Sequence, residues 1–423
     1  MDEVRYTLPL AAGTQRSVIV DKCQVCGSSD LRSVLFLGFL PPVNTMAPIG
    51  SRPAEQPAYP AEILSCSRCQ LVQLGLIVDP ALLFPPHYAY TSGTTRILRE
   101  NFAQLYQEVM QLYPLNKTAL VVDVGSNDGT LLSNFQGGHR VCGVEPTNAA
   151  KIAQERGIPV VNAFFGSRAA EQVLKSHGKA SLLTATNVFA HIENVHQIVE
   201  CVLEMLEPDG IFVSESHYLL SLVETLQYDT IYHEHLRYYS LTSLSYLLGL
   251  HGLEVIHARP IPTHGGSIRV YTCRTGRRPV SASVKEMIER EKKDLNFESL
   301  VEFKQRVAAS KLGLMALLKE IREKHRRVHG IGAPSRASTL VNHVGLDSHI
   351  LECVLEIKGS YKIGKYMPGT LIPVVEEERL FTDQPEYALL FSWHIADELI
   401  PKLKNKGYRG KFIVPLPTPR IVA

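Results

Sequence analysis

The sequence predicts an α/β protein in three parts: a small cysteine-stapled module, a mixed-sheet Rossmann-like domain and a second, shorter Rossmann-like α/β domain. Three observations carry this reading. Four of the eight cysteines fall in two tight pairs within residues 21–75. Apolar strand-like runs alternate with amphipathic helical runs from about 117 to 275, and again after 328. Between the alternations, residues 281–328 are rich in Lys, Glu, Leu and Ala at helical spacing with few breakers, as connecting helices require. The expected boundaries are 1–80 for the module, 81–280 for the first α/β domain, 281–328 for the helices and 329–423 for the last domain.

The chain of 423 residues is 45% hydrophobic and 20% charged, enough to bury more than one core. Its 44 Lys and Arg against 42 Asp and Glu give a formal charge of +2, so no global field recruits nucleic acid or an anionic membrane. The N-terminus lacks a basic stretch followed by an apolar core, and no apolar run reaches the ~18–20 residues of a membrane span. The expected location is the cytoplasm, with no membrane or nucleic-acid partner.

In the module, Cys23-Gln24-Val25-Cys26 and Cys66-Ser67-Arg68-Cys69 each offer two sulfurs from one turn. Four thiolates close a tetrahedral shell around Zn²⁺ at ~2.3 Å and leave no position for a catalytic water, so the metal's expected role is structural. Redox-active or merely buried thiols are the alternative. The four scattered cysteines, Cys142, Cys201, Cys273 and Cys353, read as small buried hydrophobes.

In the first α/β domain the apolar run 119–124 ends in Gly125-Ser126-Asn127-Asp128-Gly129, from which a helix is expected to start. Open α/β sheets hold ligands there, at the carboxyl ends of strands. About twenty residues on, the next strand ends in Gly143-Val144-Glu145, an acid able to accept two hydrogen bonds from a ribose diol. A dinucleotide site would place glycine where Asn127 stands. The loop instead resembles motif I of the class I methyltransferases, whose ligand is S-adenosylmethionine. That resemblance places Asp123 and Gly125 at the methionine end, Asn127 close by and Glu145 on the ribose.

Strands at 182–186 and 211–215 end in Asn187 to His191 and in Ser216-His217, facing the same crevice. The strands around 253–257 and 267–271 are expected to pair antiparallel. Before that hairpin, residues 227–240 concentrate titratable and aromatic side chains, among them Tyr232, His233, Glu234 and His235. A base that removes a proton beside a carbonyl works best with a pKa near neutrality, and histidine needs the least perturbation for that task. His233 and His235 lie two apart where a zinc-protease helix needs four, so catalytic metal is not expected there.

Together these segments resemble the sugar C-methyltransferases that methylate C3 of nucleotide-linked 4-keto-deoxyhexoses. The likeness spans nearly the whole chain and includes His264-Gly265-Gly266 to Tyr271, Gly330 to Asn342, Gly364 to Gly369 and Val414 to Ile421. It implies a nucleotide sugar, dTDP- or GDP-linked, between the last two domains. His235 would be the base, Tyr232 and Glu234 its neighbours, and His191 and Asn187 would lie nearer the donor. Tyr88 and Tyr90 are the candidates for an N-terminal tyrosine that reaches the site. His217 and Lys365 are further substrate candidates. The turn Gly332-Ala333-Pro334-Ser335 would accept the diphosphate, with Arg336 as its fixed cation. The chain is expected to act as a monomer. Two other readings compete: a zinc-module methyltransferase of nucleic acid or protein, and a non-catalytic nucleotide-sugar binder.

Overall fold

The computed structural model describes residues 16–51, 56–83, 93 and 95–423. Its central sheet has seven strands, in the order Leu253–Ile261, Ser267–Arg274, Leu206–His217, Ala180–Thr186, Leu120–Val124, Arg140–Val144 and Val160–Val161. The last five run parallel, and Ser267–Arg274 is antiparallel to both its neighbours. All five residues of Leu120–Val124 are buried, as expected for a parallel strand covered by helices on both faces. The expected antiparallel pair is present, as a longer hairpin than its apolar cores alone suggested.

Strand order, not strand direction, reverses between the parallel neighbours Leu120–Val124 and Ala180–Thr186, so Gly125 and Asn187, each one residue beyond its strand, open the crevice where such sheets bind ligands. The helix expected after the glycine loop does not form. Residues Leu132–Asn134 make only a 3-10 turn. Leu132 and Phe135 are fully buried, and Gly137-Gly138 ends the segment before an α-helix can propagate. The loop therefore offers backbone curvature and not a helix dipole.

Behind the crevice, the register pairs Glu215 with Arg269. The Arg269 Nε donates to Glu215 Oε1 at 2.6 Å and its Nη1 to Glu108 Oε2 at 2.6 Å, with no exposure of the arginine side chain. Asn101 and Glu108 belong to the helix Arg96–Leu112, which this buried network fastens to the sheet.

The cysteine module is a four-stranded antiparallel sheet whose edge comes from elsewhere in the chain. Leu31–Leu40, Tyr59–Cys66 and Val72–Leu74 are joined by Arg237–Tyr238 of the central domain. Two helices, Ala282–Asp294 and Phe297–Glu323, follow the central sheet, the second opened by a reciprocal Asn296 and Ser299 cap.

The last domain has six strands, in the order Val374–Glu376, Val354–Glu356, Val328–Ile331, Tyr387–Leu390, Lys411–Val414 and Arg420–Val422, parallel except for the last. Val374–Glu376 and Arg420–Val422 are strands that three-residue runs are too short to announce. Among the described residues no helix is long and apolar enough to cross a membrane.

Candidate active site

The glycine loop is shaped by two left-handed residues, Gly125 at φ +71° and Asn127 at φ +49°. A Cβ on Gly125 would lie 2.6 Å from Val188 Cγ2, so only glycine lets the strand end approach the facing loop. Glu145 is buried beside it, its Oε2 accepting from the Asn127 amide at 3.0 Å and its Oε1 from the Thr147 amide at 2.8 Å. Asp123 accepts from Thr184 Oγ1 at 2.6 Å. Burial pushes the Asp123 carboxyl up to about 7, and the charges of Glu145 and Glu215 act in the same direction. Asn187 takes a left-handed turn at φ +58°, its amide donating to the Glu215 carbonyl at 2.8 Å. Asp123, Gly125, Asn127 and Glu145 thus gather at one end of the crevice, and Asn187 reaches from there toward His264, with Nδ2 3.4 Å from His264 Nε2.

At the other end four imidazoles meet. Ring centroids of His191 and His235 are 4.9 Å apart, those of His217 and His235 5.1 Å, and those of His217 and His264 5.4 Å. The Tyr232 ring lies 4.2 Å from His235. His235 Nδ1 is 2.8 Å from the Thr230 carbonyl oxygen, which can only accept, so Nδ1 carries the proton and Nε2 is the basic nitrogen. Burial, followed by the His191 charge, holds His235 down to about 3. Burial likewise holds His191 and His264 to about 4 and His217 well below its ordinary value. All four are neutral at pH 7, and His191, His217, His235 and Asn187 line one cavity.

Glu234 is buried, and its Oε1 accepts from Asn44 Nδ2 of the cysteine module at 2.6 Å. Lys365 lies over an aromatic ring. Its ammonium lies 4.9 Å from the Tyr361 ring, whose hydroxyl donates to Asn44 Oδ1 at 3.2 Å. His233 faces away, its Nε2 3.2 Å from the Pro60 carbonyl. Tyr88 and Tyr90 lie outside the described residues.

Arg336, expected as the fixed cation of the diphosphate turn, is held by partners within the chain. Its Nε and Nη2 grip Asp229 at 2.8 and 2.7 Å, Trp393 lies against the guanidinium at 5.0 Å, and Nη1 is 2.9 Å from His394 Nδ1. A guanidinium this deeply buried needs a counter-charge, and Asp229 already supplies it. The Ser335 turn has a partner within the chain as well. Although Ser335 opens the helix Ser335–Val344, the Ala333 amide donates to Glu356 Oε2 at 2.7 Å, placing a carboxylate where a phosphate was expected. The cation beside this turn is the half-buried Lys362, whose Nζ donates to the Ala333 carbonyl.

The sequence reading missed His264, Asp229, Lys362, Trp393 and His394 as site residues. His264 had a usable signal. It precedes Gly265-Gly266 at the start of a strand returning to the crevice, and stands at φ +56°.

The four module cysteines bring their sulfurs within 4.8 Å of one another, with Cys23 and Cys69 at 3.4 Å and Cys26 and Cys66 at 3.4 Å. Zn–S bonds of ~2.3 Å imply tetrahedral edges slightly longer than that, so the residues fit zinc. The Val25 and Cys26 amides point at Cys23 Sγ, both at 3.5 Å, as thiolate ligands favour. A closed sulfur shell holds the fold and supplies no reactive position.

Residues 23–84 match a family described as a zinc binding domain, 96–258 a methyltransferase domain and 262–417 a C-methyltransferase C-terminal domain. Sheet order, strand-end acid and family matches together define a class I, S-adenosylmethionine-dependent methyltransferase with a zinc-binding module. Over 413 residues the chain is 32% identical to C-methyltransferase NovU of Streptomyces niveus, covering 96% of this chain and 97% of that protein. The chain belongs to the C-methyltransferase family. Among solved structures it is similar to the PH0226 protein from Pyrococcus horikoshii OT3, at 15% identity over 46% of this chain and 98% of that one, TM-score 0.36. Magnesium protoporphyrin IX methyltransferase (ChlM) from Synechocystis PCC 6803 with bound SAH overlaps at 13% identity over 42% and 83%, TM-score 0.33. At such scores the family assignment rests on the sequence matches.

Gly125→Ala tests the loop. A side chain there meets both the left-handed φ, about 1–2 kcal/mol, and Val188. The expected result is at least ~10-fold weaker S-adenosylmethionine binding by calorimetry with an unchanged circular dichroism spectrum. Wild-type affinity in the variant would show that the loop does not need this close approach.

Proposed function

We propose that this C-methyltransferase methylates C3 of a nucleotide-linked 4-keto-6-deoxy sugar, dTDP- or GDP-linked, in the biosynthesis of a branched deoxysugar. The observation that carries this reading is His235, a buried imidazole whose tautomer is fixed by the Thr230 carbonyl so that Nε2 is left as a base. Likeness to NovU over nearly the whole chain and a second α/β domain whose Arg336 lies near enough to act on His235 and His264 support it. All three parts of one chain contribute to the site, in keeping with a monomer.

A 4-keto group acidifies the C3 proton, which His235 Nε2 takes. The electron pair moves toward the ketone oxygen, and the neutral His191 and His217 beside His235 would donate hydrogen bonds to the enolate. S-adenosylmethionine supplies a sulfonium methyl that a carbon nucleophile can attack without further activation. The remaining work is alignment by Gly125, Asn127 and Glu145 at the donor end, and exclusion of water by the buried walls. The low pKa of His235 keeps it unprotonated, and a diphosphate entering the cleft strengthens it as a base because nearby negative charge favours imidazolium.

The test uses a dTDP- or GDP-linked 4-keto-6-deoxy sugar in D₂O with S-adenosylhomocysteine. Wild-type protein is expected to exchange the C3 proton, and His235→Asn to slow that exchange and the methyl transfer by ~10²–10⁴-fold while still binding the donor. Equal exchange by the variant removes His235 as the base.

A further inference from the structure

Resting on His235 as the base, we propose that Asp229 is a positioning residue through which the C-terminal domain orients the catalytic imidazole. The turn Tyr228–Thr230 and its next residue are tied at three successive positions. The Asp229 carboxylate receives Arg336 through two N–H groups and Trp393 Nε1 at 2.8 Å, while Gln227 Oε1 takes a longer bond from the same Arg336 Nη2 at 3.3 Å. The Thr230 carbonyl accepts from His235 Nδ1. The Ile231 carbonyl accepts from Thr339 Oγ1 at 3.1 Å.

Arg336, Thr339 and Trp393 all belong to the C-terminal domain, and Asp229, Thr230 and Thr339 are each no more than 2% exposed. The carbonyl that fixes the tautomer is therefore flanked on both sides by buried bonds to another domain. It cannot rotate toward or away from Nδ1 unless the Asp229 or Ile231 bond gives way. A charge-assisted, two-point guanidinium grip defines direction as well as distance, which suits it to aiming the neighbouring carbonyl. Docking of the C-terminal domain and readiness of the base become one event. Burial of a ring nitrogen against a fixed acceptor is the usual way a histidine is held in its working tautomer.

The experiment compares Arg336→Met, Arg336→Lys and the double variant Trp393→Phe with Thr339→Val in the full chain. Each is measured by steady-state kinetics and by ¹⁵N NMR of the His235 ring. Arg336→Met is expected to lower kcat ~10–100-fold, leave KM for S-adenosylmethionine within about twofold, and convert His235 from the Nδ1–H form to a tautomer mixture. Arg336→Lys, which keeps the charge and one hydrogen bond, is expected to restore most of kcat and the Nδ1–H form. The double variant keeps the ion pair, so it reports even if Arg336→Met fails to fold, and a partial tautomer shift is expected. An unchanged Nδ1–H population in every variant that folds overturns the proposal, whatever happens to kcat. Failure of the base assignment shows separately, as undiminished C3 exchange in His235→Asn.

Discussion

Chelating the zinc is expected to abolish most turnover, although the metal takes no part in the chemistry. Structural zinc contributes on the order of 10–16 kcal/mol in small modules that cannot fold without it. Here the effect has a path to the base. Cys66 and Cys69 bracket the turn into Val72–Leu74, that strand pairs with Arg237–Tyr238, and the Leu74 amide donates at 2.9 Å to the carbonyl of Leu236, next to His235. Asn44 of the same module holds Glu234. Metal-free protein is therefore expected to lose kcat by more than ~10-fold while its S-adenosylmethionine affinity stays within a few-fold, because Gly125 and Glu145 follow strands of another sheet. Zinc added back restores the rate. Full turnover after verified metal loss, or a loss of donor affinity as large as the loss of kcat, would contradict this path.

The second large effect is acid lability. His191, His233 and His264 are held to about 4 and His235 to about 3 by burial, against an ordinary 6.5. For groups whose folded pKa is depressed, the stabilisation is fully present above pH 6.5 and is lost as pH falls through the folded values. Each imidazole held near 4 represents about 3 kcal/mol once fully protonated, as an order of magnitude. Asp123 acts oppositely. Raised from 3.8 to about 7, it favours the fold at low pH and loses that contribution as pH rises through 7. Four imidazoles outweigh one carboxyl, so Tm is expected to drop steeply between pH 6.5 and 4, and His264→Gln to flatten the slope. A Tm that rises on acidification across that window would refute the balance.

Much of the architecture is legible in the residues. Two cysteine pairs, an apolar strand ending in Gly125, an acid at Glu145 and a histidine-rich segment before a hairpin are local patterns, and local windows carry them. Other features are set by contacts between distant positions. Asp229 and Arg336 neutralise each other across 107 residues of chain, and nothing in either neighbourhood announces the partner. Separations of 164 residues between Trp393 and Asp229 and of 58 between His394 and Arg336 hide those two in the same way. The glycine loop misled in another way. Its sequence suits a helix start, but burial of Leu132 and Phe135 with two glycines following selects a short turn. The module's fourth strand was invisible because it belongs to the stretch read for chemistry, where Arg237–Tyr238 contributes only two residues to the ladder.

The carboxylate of Glu145 is pinned at both oxygens by the amides of Asn127 and Thr147. Freezing a glutamate rotamer costs up to about 1.5–2 kcal/mol, and here folding has already met that cost before any nucleoside arrives. Each oxygen keeps a second lone pair for a diol, so the proposed ribose contact forms without a conformational search. In kinetic terms the proposed donor end of the crevice would act as a rigid dock.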